Sequence, residues 1–184
     1  MIEIIAISEA HIESFHRALD TVARERRYLA FLEAPPLEAV RSFVLDMIAQ
    51  GNPQFVALSG GEVVGWCDVR RHPRPIYAHA GILGMGLLQP FRGQGIGTRL
   101  ISTTLATAQA AHMTRVELSV RENNLNAIAL YKRVGFTVEG LSRNAVKIDG
   151  VYENVIQMAL LFSSDPSDQS CPPVVASMNP SPSS

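Results

Sequence analysis

The feature that most constrains this chain is a glycine-rich turn in its middle: Gln89-Pro90-Phe91-Arg92-Gly93-Gln94-Gly95-Ile96-Gly97-Thr98. It follows Gly81–Leu88, an apolar run that reads as a buried strand, and precedes Thr98–His112, whose apolar spacing reads as an amphipathic helix. A strand, a glycine turn and a helix N-terminus together form an anion site, because backbone N–H groups converge there and the helix dipole favours negative charge. Glycines let the backbone come close to phosphate oxygens, with no Cβ in the way. The expected ligand is therefore phosphorylated. The spacing sets two common phosphate loops aside. No glycine here is followed by Lys and then Ser or Thr, as a Walker loop requires. Gly93, Gly95 and Gly97 run G-x-G-x-G, not G-x-G-x-x-G, and Glu117 lies inside the next strand instead of at its tip, where a ribose-binding acid belongs.

A second motif follows. Val116, Leu118 and Val120 alternate as in a half-buried strand. Next comes a short helix pattern, with Asn124 as the expected N-cap and Gly135 as its stop, carrying Asn126 and Tyr131.

The two motifs together resemble the GCN5-related N-acetyltransferases, the GNAT family. The family loop Q/R-x-x-G-x-G/A is matched by Arg92, Gly95 and Gly97, and the later motif N-x-x-A-x-x-L-Y-x-x-x-G-F is nearly matched by Asn126, Ala129, Leu130, Tyr131, Gly135 and Phe136. The likeness runs from residue 1 to about 162. It implies an α/β fold: a mixed, mostly antiparallel sheet splayed between its fourth and fifth strands and flanked by helices. It also implies acetyl-CoA as cosubstrate, with no metal. The loop Arg92, Gly93, Gln94, Gly95, Ile96, Gly97 and Thr98 would hold the pyrophosphate. The backbone of Met85 and Leu87 would pair with the pantetheine arm and supply the oxyanion donor. Tyr131 would protonate the leaving thiolate, and Asn126 would bond the pantetheine or anchor its helix. The amine's proton acceptor is open. His79 is the residue near the fourth strand with a near-neutral reference pKa; Glu117, Glu33 or a water chain are the alternatives. Glu33, in the segment Arg24–Pro36 between the first two helices, is the expected amine-binding residue. Dimers are common in the family, so a homodimer is a further expectation.

Composition narrows the partners. The chain has 184 residues, 47% of them hydrophobic and 18% charged, with a net charge of −1, which suits one globular domain and argues against nucleic-acid binding. No run long enough to span a membrane and no basic leader appears, so a cytoplasmic enzyme is expected. Cys67 and Cys171 lie far apart, which argues against a disulfide framework. Residues 1–162 read as one domain. Residues 163–184, rich in Ser and Pro, read as a disordered tail. The expected element order is β-α-α-β-β-β-α-β-α-β-β, with a helix from Ser8 to Arg26, a fourth strand over Tyr77–Leu88 and a closing hairpin at Asp149-Gly150. The expected reaction is acetyl transfer to the primary amine of a small molecule such as an amino acid. The alternatives are a protein N-terminal or lysine acetyltransferase, or a non-catalytic acyl-CoA-binding module.

Overall fold

The structure, a computed structural model, describes residues 1–162, so the expected tail lies outside the described residues. The elements in chain order are β1 Ile2–Ala6, α1 Ile12–Arg24, α2 Leu37–Ala49, β2 Gln54–Ser59, β3 Glu62–Arg71 and β4 Ala80–Leu87. They continue with α3 Ile96–Ala110, β5 Arg115–Arg121, α4 Leu125–Arg133, β6 Thr137–Ile148 and β7 Val151–Leu161. One sheet has the order β1-β2-β3-β4-β5-β7-β6, antiparallel except for the central β4–β5 pair. This is the mixed α/β arrangement expected from the sequence. No helix among the described residues is long and apolar enough to cross a membrane.

Local chemistry sets the element ends. The Ser8 backbone N–H donates to His11 Nδ1 at 3.0 Å, and a tight turn over Glu9–His11 delays the first α-helix to Ile12. The fourth strand starts at Ala80 and not at Tyr77, because Pro75–Tyr77 form another tight turn led by proline, which has no N–H to give a ladder. Asp149 and Gly150 have φ of 50° and 85°, and Ile148 pairs with Val151 across them. Two residues at positive φ make the hairpin turn whose twist matches the strands.

The sheet carries a core on each face. On one side Leu100, Ile101, Leu105 and Ala108 of α3 pack over Cys67, Val69, Val116 and Leu118, with Tyr131 of α4 joining them. On the other, Phe15, Leu19 and Val22 of α1 and Val40 and Val44 of α2 pack over Val56, Leu58 and Trp66. Successive strand residues alternate faces, so Asp68 and Arg70 share the α1/α2 side with Trp66.

The central parallel pair is short. It covers Ala80↔Arg115, Gly81↔Val116 and Ile82↔Glu117 and goes no further, although β4 continues to Leu87 and β5 to Arg121. The two strands fork beyond Ile82. From Leu83 to Leu87, β4 has β3 on one side and a free backbone edge on the other.

Candidate active site

The glycine turn sits at the wide end of this fork. Gly93 and Gly95 have φ of 74° and 77°, a left-handed conformation that glycine adopts without strain, and nothing lies within 4 Å of a Cβ built on either. Helix α3 starts at Ile96, two residues before the expected Thr98. The first helical bond runs from Arg99 N–H to Gly95 O at 3.1 Å. The N–H groups of Ile96, Gly97 and Thr98 thus have no acceptor within the helix, and with Gly95 they form a positive concavity at its N-terminus. The Gln94 side chain pins the turn by donating to Pro90 O at 2.8 Å.

Arg92 points elsewhere. Its Nε donates to Leu87 O at 2.8 Å, and its two terminal nitrogens donate to the Glu25 carboxylate at 2.9 and 2.5 Å. The guanidinium also stacks 4.7 Å above the Tyr28 ring. The fork of this arginine is committed to the end of α1, so the groups the turn leaves open to an anion are its backbone N–H groups.

Below the turn, a Cβ on Gly97 would stand 3.4 Å from Leu130 and 3.7 Å from Met85, so α3, β4 and α4 meet at the fork. Helix α4 is capped by Asn124, whose Oδ1 accepts from Ala127 N–H at 3.3 Å; Asn126 is exposed on its first turn. Tyr131 is buried, its ring 5.9 Å from that of Phe136. Burial pushes its phenol well above the ordinary range and the neighbouring Cys67 adds to the effect, so the hydroxyl stays protonated at any working pH. No protein group among the described residues hydrogen-bonds it. A neutral phenol beside the fork has a proton to donate there.

The α1/α2 face forms the opposite side of the site. Three arginines, Arg26 of the segment itself among them, hold residues 25–29 across the mouth of the fork. Arg92 grips Glu25, and Arg121, itself buried, donates to the carbonyls of Arg26 and Leu29 at 2.8 and 3.0 Å. Arg26 pairs with Asp149 at the tip of the β6–β7 hairpin at 2.6 Å. Glu33, the expected amine-binding residue, is exposed and meets Arg24 at 3.4 Å. His79 is not brought to the fork. It lies just before β4 beside Ala80, roughly 20 Å along the strand from Met85 at about 3.3 Å per residue. There it lines a cavity of about 620 Å³ with His72, Arg74, Tyr77, Arg115 and Glu117. Glu117 accepts from His72 at 3.0 Å and from Arg115 at 3.1 Å. Burial alone would raise its pKa, but these bonds outweigh burial and hold the carboxyl below its usual value.

The glycine turn, the forked parallel pair and the tyrosine at the fork are joined by sequence likeness. The family described as "Acetyltransferase (GNAT) family" matches residues 13–136, about two thirds of the chain. The chain belongs to the GNAT family. It is an N-acetyltransferase and uses acetyl-CoA as cosubstrate. It is 32% identical over 109 residues to the N-alpha-acetyltransferase RimI of Mycobacterium tuberculosis, covering 59% of this chain and 67% of that one. It is 28% identical over 110 residues to the L-amino acid N-acetyltransferase AaaT of Escherichia coli, covering 59% and 68%. In fold it resembles the acetyltransferase yncA of Salmonella typhimurium, solved with acetyl-CoA, with a TM-score of 0.85 at 14% identity over 93% of this chain and 99% of that one.

This GNAT site contains a residue that the sequence reading did not single out. A Cβ on Gly86 would run into the Trp66 indole, and one on Gly84 would stand 3.4 and 3.5 Å from the two carboxylate oxygens of Asp68. The bare strand lets side chains of β3 lean over β4. Asp68 is 8% exposed, and burial pushes its carboxyl up to about 7, with Arg70 pulling the other way. A charged residue inside the otherwise apolar Val63–Val69 run was the signal available in the sequence.

Proposed function

We propose that this enzyme transfers the acetyl group of acetyl-CoA to the primary amine of a small molecule, an amino acid or a close analogue, by direct attack of the amine on the thioester. In this reading the backbone N–H groups from Gly93 to Thr98 hold the pyrophosphate, and the pantetheine arm lies along the free edge of β4 as an added strand would. A backbone N–H of Met85–Leu87 receives the developing oxyanion, and Tyr131 hands a proton to the sulfur as the C–S bond breaks.

The observation that supports a small acceptor is the roof. Residues 25–29 are tied by Arg92 and Arg121 to both arms of the fork, which narrows the approach to the thioester from the α1/α2 face. The likeness to an L-amino acid N-acetyltransferase points the same way. Such an enzyme works in the cytoplasm, with residues 1–162 as the catalytic unit.

The test is thiol release from acetyl-CoA with the purified protein and a panel of L-amino acids, polyamines and short peptides. Turnover with amino acids supports the reading. Turnover with peptides alone moves the acceptor to a protein N-terminus. The same preparation, sized by sedimentation, reports whether the enzyme is a homodimer.

A further inference from the structure

An ammonium must lose a proton before its nitrogen can attack, and the face from which it arrives offers few acceptors. His79 is far down the strand, Glu117 is held by His72 and Arg115, and Glu33 is exposed on the roof beside Arg24. Asp68 differs from these in three ways. Its carboxylate overhangs β4 at Gly84, inside the stretch from Leu83 to Leu87 whose edge is free to hold the thioester arm. Neither carboxylate oxygen accepts a hydrogen bond from the described residues. Directly opposite it on β2, Gln54 is 4% exposed, and both its amide nitrogen and its oxygen lack partners. Buried polar groups are almost always paired, so a neighbouring carboxyl and amide left open together mark a place built for a polar visitor. An ammonium brings three donors.

We propose that Asp68, carried on β3 and leaning over Gly84, is the group that receives the proton of the acceptor ammonium. The assignment rests on acetyl transfer as read above. The ammonium docks against the carboxylate and gives it one proton. The freed lone pair attacks the thioester carbon and the C–N bond forms. The C–S bond then breaks as Tyr131 gives its proton to the sulfur, and the second proton, shed by the nitrogen of the tetrahedral intermediate, passes through water to restore the Tyr131 phenol. Asp68 returns its proton to solvent. The groups facing Asp68 leave this titration near neutrality. Arg70 on β3 is the charge that acts on it, β2 offers the neutral Gln54, β4 offers Gly84, and none of the residues that α1 and α2 bury is ionisable. Below neutral pH the carboxyl is protonated and cannot serve, so the rate should rise with pH through that region.

Asp68→Asn tests this by thiol release, with a mixture of L-amino acids as probe, from about pH 6 to about pH 10. The expected loss is about 100-fold or more at neutral pH, shrinking as the pH approaches the amine's own pKa and free amine arrives already deprotonated. Acetyl-CoA affinity by calorimetry should stay within about twofold, since the cofactor contacts lie elsewhere. A variant with the wild-type rate and pH profile overturns the assignment, and so does one that has lost acetyl-CoA binding. Gly84→Ala is the second variant. Its new methyl has room beside Asp68 but occupies the amine's place, so KM for the amine should rise about tenfold at unchanged acetyl-CoA affinity. An unchanged KM sinks the idea. If the wild type binds acetyl-CoA but acetylates none of the probe, the acceptor class fails and not Asp68. An infrared titration of wild type against Asp68→Asn then decides: a carboxyl ionising near neutrality is expected, and one still protonated at about pH 9 overturns the proposal.

Discussion

In the proposed reaction the two faces of the forked sheet would meet the substrates by different means. The α3/α4 face offers backbone groups: a glycine turn, the first N–H groups of a helix and the free edge of a strand. The α1/α2 face offers side chains brought together from far apart in the chain, with arginines from the turn and β5 holding the segment after α1, and an aspartate from β3 leaning over β4. Backbone sites need only local conformation, so they bind any ligand with the right phosphates. Side-chain sites need the whole fold, so they can distinguish one amine from another. The arginine of the turn joins the two, since Arg92 touches Leu87 of the cofactor strand and Glu25 of the roof.

The largest expected effect separates chemistry from binding. Tyr131→Phe keeps the buried ring and its contact with Phe136 but removes the donor. It should lower kcat about 100-fold and leave acetyl-CoA affinity nearly unchanged. Unchanged turnover at saturating substrates would remove Tyr131 from the reaction. Gly95→Val comes next and acts on the backbone face alone. A β-branched residue at φ near 77° is strained even though a Cβ there meets nothing. Acetyl-CoA affinity should fall about tenfold, while the pH dependence set on the amine side stays as it was. A shifted pH profile would show that the faces are not separable.

The sequence was informative in proportion to how local each feature is. The turn, the cap at Asn124, the stop at Gly135 and the Asp149-Gly150 hairpin each depend on a few consecutive residues, and the fold places all four where the pattern put them. The fork was legible through family likeness. The roof was not, because Arg121 meets Arg26 across 95 positions and Arg92 meets Glu25 across 67, and no local pattern encodes either contact. Arg92 was read only as part of the loop that would hold the pyrophosphate, and its tertiary partners are what show where its guanidinium goes. Asp68 escaped notice because a strand with one acidic residue reads as core until the bare β4 beside it is seen.

A smaller effect tests the link between the faces. Glu25→Gln removes the charge that holds Arg92 while keeping the shape, and both partners are largely buried, with side chains 25% and 31% exposed. The amine's KM should rise roughly fivefold, and acetyl-CoA affinity should fall by less, because the turn keeps its glycines and the Gln94 brace. The Arg92→Ala, Glu25→Gln double variant should be no worse than Arg92→Ala alone, since the two groups act as a pair. Additive losses would return Arg92 to direct contact with the cofactor.

The smallest expected effect lies at the edge of the roof. Arg26 and Asp149 form a short ion pair, but their side chains are 42% and 70% exposed, so water and salt screen it. Asp149 also sits at φ of 50° in the hairpin turn, a conformation that asparagine adopts about as readily as aspartate. Asp149→Asn therefore removes the charge without disturbing the turn, and it should change the amine's KM by less than about twofold and stability by less than about 0.5 kcal/mol. Added salt should leave the wild type's KM equally unmoved on this account. A severalfold rise in KM would mean that the exposed hairpin tip, and not the buried grip of Arg121 on the Arg26 and Leu29 carbonyls, holds the roof over the amine.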